Sequence, residues 1–441
     1  MGVKQGALTV IVRIAPGRDD ALRELLDGIG DAVEDSDLVP FPQFETLHFG
    51  RWFVLPEQRS ALDDTVFPAQ LVLSTNYDGE LDDHLAELIG MARTGVDVIY
   101  EHCVGYPDAQ QRTPHTIAAY LKAHAVDHAI FYVGAPGLDV MRIRQEARLR
   151  DGIEAFLDMK ERETDRWAGW TPARIRDAVR EAMRGRSDMR WAFESPGPAV
   201  RTLPWYGWMA LTLIAVLILP LVVVGVILVR LQELGDDSGA VGDDTTPVPE
   251  PVLSAQQGAD RQVRTVTARE DYQVQNQLSH VVEIKPGWIR RIALRAVLPV
   301  LDFGARYIYN QGSLFGVSTL HFVRWVVIDG GRRLMFLTNY DGSMISYVGD
   351  FVNKSWQIPS ALTAIWSNTI GFPRTRWLLF GGARDIRRFT AFLRDHQVPT
   401  QTWYSAYKRL TTGNIVNNAK IRGGLIAPLD TDRTVRWLRR L

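Results

Sequence analysis

The sequence predicts an α+β protein made of two tandem ferredoxin-like repeats that are separated by a membrane-embedded helix. The first observation is a duplicated string: TLHFVRWVVIDGGRRLMFLTNYDG at residues 319–342 has counterparts in TLHFGRWFVL at 46–55 and STNYDG at 74–79. Two copies of such a string in one chain indicate an internal repeat. The second observation is an uncharged run rich in Leu, Ile and Val at residues 205–229. As a helix, this run would reach roughly 37 Å, which is enough to cross a hydrocarbon core.

Within the first copy, the hydrophobic pattern predicts the element order β-α-β-β-α-β. β-Branched residues closed by Pro16 and Gly17 indicate a first strand, and leucines at helical spacing after Asp19 indicate a first helix. The predicted elements are a strand at residues 7–14, a helix at 19–33, strands at 46–55 and 71–75, a helix from residue 78 and a strand at 129–133. This order is that of ferredoxin-like proteins.

The second copy is predicted to repeat this order. Its elements are a strand at residues 280–284, a helix at 288–309, the two strands of the 319–342 string and a helix from residue 343. The match continues downstream, because Phe131-Tyr132 parallels Trp403-Tyr404, and IRQEARLRDGI at 143–153 aligns without a gap with IVNNAKIRGGL at 415–425. Matches in register at separate places strengthen the case for duplication.

Composition divides the chain into five parts. They are a first repeat at residues 1–160, a helical connector at 161–204, a transmembrane or re-entrant segment at 205–230, an acidic Gly/Pro-rich linker at 231–275 and a second repeat at 276–441. Trp205 and Arg230 flank the apolar run as expected at membrane interfaces, and Pro220 would permit a re-entrant hairpin. We therefore expect a protein of the inner cell membrane that has the lipid bilayer as a partner and at least one half facing the cytoplasm.

The charge balance and the cysteine count exclude some classes of function. The chain has 50 Lys and Arg against 51 Asp and Glu, so no basic excess indicates a nucleic-acid partner. The single cysteine, Cys103, excludes an intrachain disulfide and a CxxC-type metal site. No P-loop, GxSxG, HExxH or dinucleotide motif is present, and we expect no metal site.

The duplicated β-α-β-β-α-β order resembles the dimeric α+β-barrel superfamily, which includes chlorite-dismutase-like and dye-decolourising-peroxidase-like haem proteins. The NYDG strings at residues 76–79 and 339–342 are the nearest counterparts of the GxxDG motif of the peroxidases, whose aspartate works on the distal side of the haem. The resemblance implies sheets that pair face to face, with a homodimer through those faces as one arrangement. It also implies a pocket between sheet and helices, for which haem is a candidate cofactor.

Strict alternation along the duplicated strand divides its side chains between two faces. His321 and Trp325 fall on one face and Arg324 on the other, and the first copy repeats this pattern with His48. We expect the Leu/Phe face to pack under the helices. The His/Trp face would then point toward the barrel interior or the partner sheet.

The candidate catalytic residues are His321, Arg324 and Asp341, and the candidate cofactor-binding residues are His48, His321, Trp325 and Arg324. His321 would be a haem-iron ligand or general base with Trp325 walling the pocket, or else a structural histidine hydrogen-bonded within the sheet. Arg324 would hold a carboxylate or a haem propionate, or form a salt bridge to the aspartate of NYDG. Asp341 would be a proton shuttle or the cap of the following helix.

Three interpretations of the function stay open at this point. The first is a membrane-associated ligand-binding or scaffold protein, and the alternative is a haem-dependent, peroxidase-like oxidoreductase. A third is an enzyme that acts on lipidic substrates. The basic pairs Arg148/Arg150 and Lys420/Arg422 occupy matched positions in the two repeats, where they would bind phospholipid headgroups or another anion, or form a solvated cationic face.

Overall fold

In the first half of the chain, strands and amphipathic helices follow one another in the order β-α-β-β-α-β, with a short hairpin inserted after the second strand. The computed structural model describes residues 3–163, 167, 169–194, 204–238, 272–309, 312–314, 316–353, 357–377 and 379–441. The elements of this half are β1 (Gln5–Arg13), α1 (Asp19–Asp31), β2 (Leu47–Leu55), β3 (Gln58–Arg59), β4 (Val66–Phe67), β5 (Gln70–Asp78), α2 (Leu81–Tyr100), α3 (Pro114–Ala123), β6 (His128–Val133), α4 (Val140–Glu163) and α5 (Pro172–Gly185).

The second half repeats these elements after a long connecting helix. Its elements are α6 (Trp205–Ser238), β7 (Gln275–Glu283), α7 (Trp288–Tyr307), β8 (Leu320–Ile328), β9 (Arg333–Asp341), α8 (Met344–Asn353), α9 (Gln357–Trp366), β10 (Thr375–Arg376), β11 (Phe380–Gly381), α10 (Ile386–Asp395), β12 (Thr402–Ser405), α11 (Thr412–Ile426) and α12 (Thr431–Leu438). Most of the predicted acidic linker, residues 239–271, lies outside the described residues.

Local sequence explains several of these elements. In α1, Leu22, Leu26 and Ile29 are buried and recur at helical spacing, so one apolar face packs on the sheet. Gly79 and Gly342, the glycines of the two NYDG strings, have φ values of 92° and 77°. This left-handed conformation favours glycine, and at both places it turns the chain from the end of the strand toward the next helix.

Eight of the strands form two four-stranded antiparallel sheets, and each of these sheets takes one edge strand from the other half of the chain, while β3-β4 and β10-β11 form two separate two-stranded sheets. The strand orders are β1-β5-β2-β12 and β6-β8-β9-β7. In the first sheet, Tyr404 of β12 lies opposite Gly50 of β2, and in the second, Tyr132 of β6 lies opposite Val323 of β8. Because Gly50 and Val323 occupy matching positions in the duplicated string, the two exchanges are equivalent. Neither half supplies all four strands of either large sheet.

The two sheets pack face to face, and helices cover the outer face of each. Between the sheets, Phe53 and Val72 of the first cluster with Val326 and Met335 of the second. Larger apolar cores lie on the outer faces, under α1, α2 and α3 in one half and under α7, α9 and α10 in the other. Burial of each large apolar side chain contributes roughly 1.5–3 kcal/mol. The sheet faces are thus covered within the chain itself.

The helices α4 and α11, which carry the matched strings at residues 143–153 and 415–425, pack on each other and join the two halves a second time. Leu149 of α4 and Ile421 of α11 belong to one buried cluster, to which α5 and α12 also contribute. Glu146 and Arg422 form an ion pair at 3.5 Å across this contact.

The structure is α+β, but the membrane-embedded helix expected between the repeats is wrong. Among the described residues, no helix combines the length and apolarity that crossing a bilayer requires. The helix at this place, α6, runs past the predicted end at residue 230, and its last turns pack on protein. Glu233 there is buried, pairs with Arg230 at 3.1 Å and accepts hydrogen bonds from Thr375 Oγ1 and Trp377 N, both at 2.8 Å. The inner-membrane location, which depended on this segment, is corrected with it.

Candidate functional site

A β-bulge in each copy of the duplicated string decides which side chains face the space between the sheets. In β8, the pairing register with β9 shifts between Leu320 and Phe322, and β2 shifts at the equivalent place. An extra residue in one strand reverses the alternation beyond it. His321 and Arg324 therefore both lie between the sheets, whereas Trp325 packs in the helix-covered core. The expectation that His321 shares a face with Trp325, opposite Arg324, is wrong for this reason.

Each repeat contributes one buried histidine–aspartate pair to the space between the sheets. His48 Nε2 lies 2.9 Å from Asp78 Oδ1, and His321 Nε2 lies 2.7 Å from Asp341 Oδ1. All four side chains are less than a tenth exposed. The structure thus brings together His321 and Asp341, which were predicted from sequence, in a geometry that holds the imidazole by its Nε2 atom.

The second carboxylate oxygen of each aspartate stabilises the start of a distant helix. Asp78 Oδ2 accepts a hydrogen bond from Val140 N at the start of α4, and Asp341 Oδ2 accepts one from Thr412 N at the start of α11, both at 2.8 Å. A carboxylate at a helix N-terminus is favoured by the helix dipole and by the free N–H groups there. The NYDG aspartates therefore do cap helices, but each caps the helix that comes after the last strand of its half, α4 or α11, and not the helix directly after the NYDG strand.

Tyr407 lies between the two histidines and bonds to one of them. Its Oη is 2.9 Å from His48 Nδ1, and its ring centre is 5.9 Å from that of His321. Burial, and then the negative charges of Asp78 and Asp341, raise the pKa of the Tyr407 phenol well above its usual value. The phenol stays protonated, so we assign it as the donor to Nδ1 and His48 Nε2–H as the donor to Asp78.

Two buried arginines cross from one sheet to the other. Arg51, on the first sheet, donates to Leu278 O at 3.2 Å and to Thr338 O at 3.0 Å on the second. It also donates to the side-chain oxygens of Gln277, Ser279 and Asn339. In return, Arg324 of the second sheet donates to Leu8 O at 2.8 Å, Thr75 O at 3.1 Å and Ser74 Oγ.

The partners of these arginines are neutral oxygens, so neither forms the salt bridge that was expected with an NYDG aspartate. Burial lowers the pKa of both guanidinium groups from 12.5 to about 9, and for Arg51 the charge of Arg324 acts in the same direction. Both remain cations at neutral pH. Their role in the structure is to hold the two sheets together through carbonyl, amide and hydroxyl oxygen acceptors, since both side chains are only 2% exposed.

The two histidines do not fit the role of haem-iron ligand. Each Nε2 atom already bonds to a carboxylate, and the rings are only 0% and 2% exposed. The ring of Phe322 lies 5.1 Å from that of His48, and the ring of Phe49 lies 5.3 Å from that of His321. Aromatic side chains therefore occupy the space that a porphyrin would need. In the described part of the chain, no group of three or more His, Cys, Asp or Glu residues is placed to hold a metal ion.

A mainly apolar cavity lies instead on the outer side of the second sheet, under α7 and α9. It is lined by Ile130, Tyr132, Leu301, Ala305, Leu314, Leu320, Val323, Trp325, Ala361, Leu362 and Ile365. The cavity has a volume of about 30 Å³, within a wider space of about 470 Å³ between the lining atoms that includes open solvent. Within the described residues, the Tyr132 hydroxyl and the Trp325 indole N–H are buried without a hydrogen-bond partner. Burial also raises the pKa of Tyr132, so its hydroxyl keeps its proton.

The equivalent place in the first half is filled by a phenylalanine. Phe41 stacks on Tyr404, which matches Tyr132, with 4.9 Å between ring centres, and it lies 6.0 Å from Trp52, which matches Trp325. Gly50 lies beside this ring, and a Cβ added there would be in ordinary van der Waals contact with Phe41 Cε1, at 3.5 Å. Tyr404 also has a polar partner, since its hydroxyl accepts from Arg144 Nη2 at 3.1 Å.

Sequence reasoning found His48, His321, Asp341, Arg324 and Trp325 but missed the tyrosines of both sites. From the sequence, Tyr132 is predicted only to match Tyr404 in the repeat. Tyr407 lies beside His48 because the preceding strand, β12, joins the sheet of the first half. The sequence nevertheless contained a signal for the cavity, because the two copies differ there. The first copy has Gly50 and the nearby FPQF at residues 41–44, whereas the second has Val323 at the position of Gly50.

Comparison with known proteins finds no matching family model, no significantly similar curated protein and no significantly similar solved structure. The likeness to the dimeric α+β-barrel superfamily therefore stays a prediction.

Proposed function

We propose that this protein binds a small, mainly apolar molecule in the cavity beneath α7 and α9. The ligand carries one hydrogen-bond acceptor, such as a carbonyl oxygen, that meets Tyr132 Oη and Trp325 Nε1. The binding role, as opposed to catalysis, rests on the composition of the lining: its described residues include no carboxylate, histidine, lysine or arginine to move a proton or stabilise a charge.

The difference between the two halves carries this proposal. Both halves place a tyrosine from the exchanged strand beside a tryptophan from the duplicated string, in matching sheet positions. In the first half, Phe41 fills the space between the two side chains. In the second half, Leu314 stands at the wall of an open cavity. Since the same framework is packed in one copy, the opening in the other is a feature of this copy and not of the fold.

The two unpartnered polar atoms add a second argument. A buried donor without an acceptor costs about 1–3 kcal/mol relative to a paired one. Tyr132 is 1% exposed and Trp325 is 4% exposed, so bulk water does not relieve this cost. Since both residues line the cavity, a ligand oxygen bound there can accept from these donors. The site would thus prefer a ketone or similar acceptor over a hydrocarbon of the same shape.

A matched pair of probes tests the proposal. We expect cyclohexanone to bind more tightly than methylenecyclohexane, which has the same shape without the oxygen, in isothermal titration calorimetry and in ligand-observed NMR. Tyr132→Phe removes one donor and should weaken cyclohexanone binding by roughly 3–12-fold, since one hydrogen bond contributes about 0.5–1.5 kcal/mol. It should leave methylenecyclohexane binding unchanged. Ala305→Leu, which fills the cavity, should abolish binding of both probes.

The internal repeat supplies the control. Tyr404→Phe removes the equivalent hydroxyl beside Phe41 and should not change the affinity for either probe. An equal loss of binding in Tyr132→Phe and Tyr404→Phe would show that the effect is general destabilisation. A wild-type protein that binds neither probe at millimolar concentration would refute the binding role and leave the scaffold interpretation.

A further inference from the structure

A concave and strongly basic site lies where α11 meets α12, and it is separate from the apolar cavity. The space it encloses is about 360 Å³. Four cations line this space: Lys420 of α11, Arg433 and Arg436 of α12, and Arg440, which follows α12. Trp437 of α12 also lines it. Its volume is within the range of pockets that take small molecules.

The local sequence explains why these cations converge. Arg433, Arg436 and Arg440 follow one another at intervals of three and four residues, which puts them on one helical face. Trp437 anchors that helix, because it is buried and donates its Nε1–H to Ile421 O at 2.8 Å. A Cβ added at Gly424 would lie 1.9 Å from the Trp437 ring, so the glycine is required for this close approach.

The positive charges of the site are mostly uncompensated within the chain. Arg433 pairs with Asp430 at 3.5 Å. Two of the arginines donate to neutral oxygens: Arg436 Nε lies 3.4 Å from Asp432 O, and Arg440 Nη1 lies 3.2 Å from Asn417 Oδ1. Among the described residues, Lys420, Arg436 and Arg440 form no ion pair with a carboxylate. Like charges that line one pocket repel one another, and an anion bound between them would reduce that repulsion.

The site belongs to the second repeat only. Of the other basic residues at matched positions, Arg150 pairs with Glu154 at 2.7 Å, and Arg422 is buried and donates to the carbonyl oxygens of Trp191 and Glu194. Arg148, which matches Lys420 in the aligned strings, is exposed on α4. It lies outside the basic site and carries the same charge, so it provides a matched control.

We propose that this site binds a small phosphate-bearing molecule with at least two negative charges. Three guanidinium groups offer forked N–H donors that match phosphate oxygens, and Lys420 adds a point charge. The cations converge on one concave pocket and do not extend as a stripe, which favours a compact polyphosphate or bisphosphate over a nucleic-acid strand. Binding at this exposed site weakens as salt screens the charges.

Isothermal titration with pyrophosphate and with inorganic phosphate at low salt tests the site. Pyrophosphate should bind at least tenfold more tightly than phosphate, because it can contact more of the cations at once. The double variant Lys420→Gln/Arg436→Gln should weaken pyrophosphate binding at least tenfold and reduce its salt dependence. Arg148→Gln should change the affinity less than twofold. Circular dichroism melting of each variant checks that these exposed substitutions leave the fold intact.

Three outcomes would overturn the proposal. One is no pyrophosphate binding by the wild type at millimolar concentration, and another is an equal loss in Arg148→Gln and in the double variant. The third is tighter binding of a single-stranded oligonucleotide than of pyrophosphate, which would assign the site to nucleic acid. None of these measurements depends on the apolar cavity, so they stand apart from the test with cyclohexanone.

Discussion

Removal of the Phe41 side chain should convert the packed half of the molecule into a copy of the open half. Phe41 is 1% exposed and contacts Tyr404, Trp52 and Phe44, with ring centres 4.9, 6.0 and 6.3 Å away. Phe41→Ala would leave a space beside Tyr404 and Trp52 that corresponds to the cavity beside Tyr132. We predict that the variant is less stable and that it gains a second binding site for cyclohexanone.

The magnitude follows from the packing. Phe→Ala substitutions in well-packed cores cost about 3–5 kcal/mol, because the transfer energy of the ring is lost and a cavity remains. Aromatic pairs add about 0.5–1.5 kcal/mol beyond the buried area, and Phe41 makes more than one such pair. We therefore expect a loss near the upper end of the range, at about 4–5 kcal/mol. Cyclohexanone at a hundredfold excess over its dissociation constant at the new site would restore roughly 2.7 kcal/mol, in addition to the stabilisation that every variant receives from the existing cavity.

Urea unfolding with and without cyclohexanone measures both effects, and calorimetry should show a stoichiometry that rises from one site to two. Leu121→Ala serves as the control, because Leu121 is fully buried in the same core. Leu121 lies on α3, and the segment after α3 pairs with β1. Since β1 and β12 are the two edge strands of this sheet, Leu121 lies on the side of the core away from β12. A loss below about 1 kcal/mol in Phe41→Ala, or equal rescue of both variants by cyclohexanone, would refute the reasoning.

Three further predictions concern the sheets and their packing. Arg324→Lys should lower the free energy of unfolding by about 1–3 kcal/mol in urea titrations. The reason is that one ammonium group cannot reproduce the forked N–H donors that reach Leu8 O and Thr75 O. An unchanged urea midpoint would contradict this. Burial lowers the pKa of His84 from 6.5 to about 3, so below pH 6.5 the unfolded state takes up a proton that the folded state does not, and stability falls as the pH drops toward 3. His84→Phe should remove about 2 kcal/mol of the loss between pH 7 and pH 5, measured by urea unfolding at both values, and an identical pH dependence in the wild type would count against it. Polypeptides of residues 1–238 and 272–441 should each unfold without a cooperative transition, because each lacks one strand of its four-stranded sheet. When mixed, they should form a stable 1:1 complex, which size-exclusion chromatography and the cooperativity of thermal melting would detect.

The internal repeat and its element order could be predicted from sequence because both depend on self-comparison and on local hydrophobic period. The strand exchange could not. The alternation of Phe131 and Tyr132, or of Trp403 and Tyr404, is the same whichever sheet the strand joins, and the choice is made by contacts between residues far apart in the chain. Local pattern therefore predicts the elements and leaves their partners undetermined.

The assignment of side chains to faces failed at one residue. Alternation along TLHFVRW predicts a shared face for His321 and Trp325, and the bulge beside Phe322 breaks that alternation. No residue in the string marks the bulge, since neither copy has a glycine or proline at the shift. His321 and Asp341 nevertheless lie close together, as the sequence suggested, because they are on the neighbouring hydrogen-bonded strands β8 and β9.

The apolar run at residues 205–229 shows why length and composition alone misplace a helix. Both criteria predict a membrane span, but they carry no information about what the helix packs against. The buried carboxylate of Glu233, held by Arg230, Thr375 and Trp377, comes one turn after the run and docks α6 on the second half. That contact depends on residues about 140 positions downstream.

The exchanged strands have a consequence for how the two halves can differ. In a homodimer of identical subunits, symmetry would require both pockets to be filled or both to be open. Here the two copies share one covalent chain, so a single substitution acts on one side only. Phe41 fills one pocket, while Val323 and Leu314 border the other. The duplicated chain can thus keep one half as a rigid support and leave the other free to specialise, with both halves always present in equal amounts.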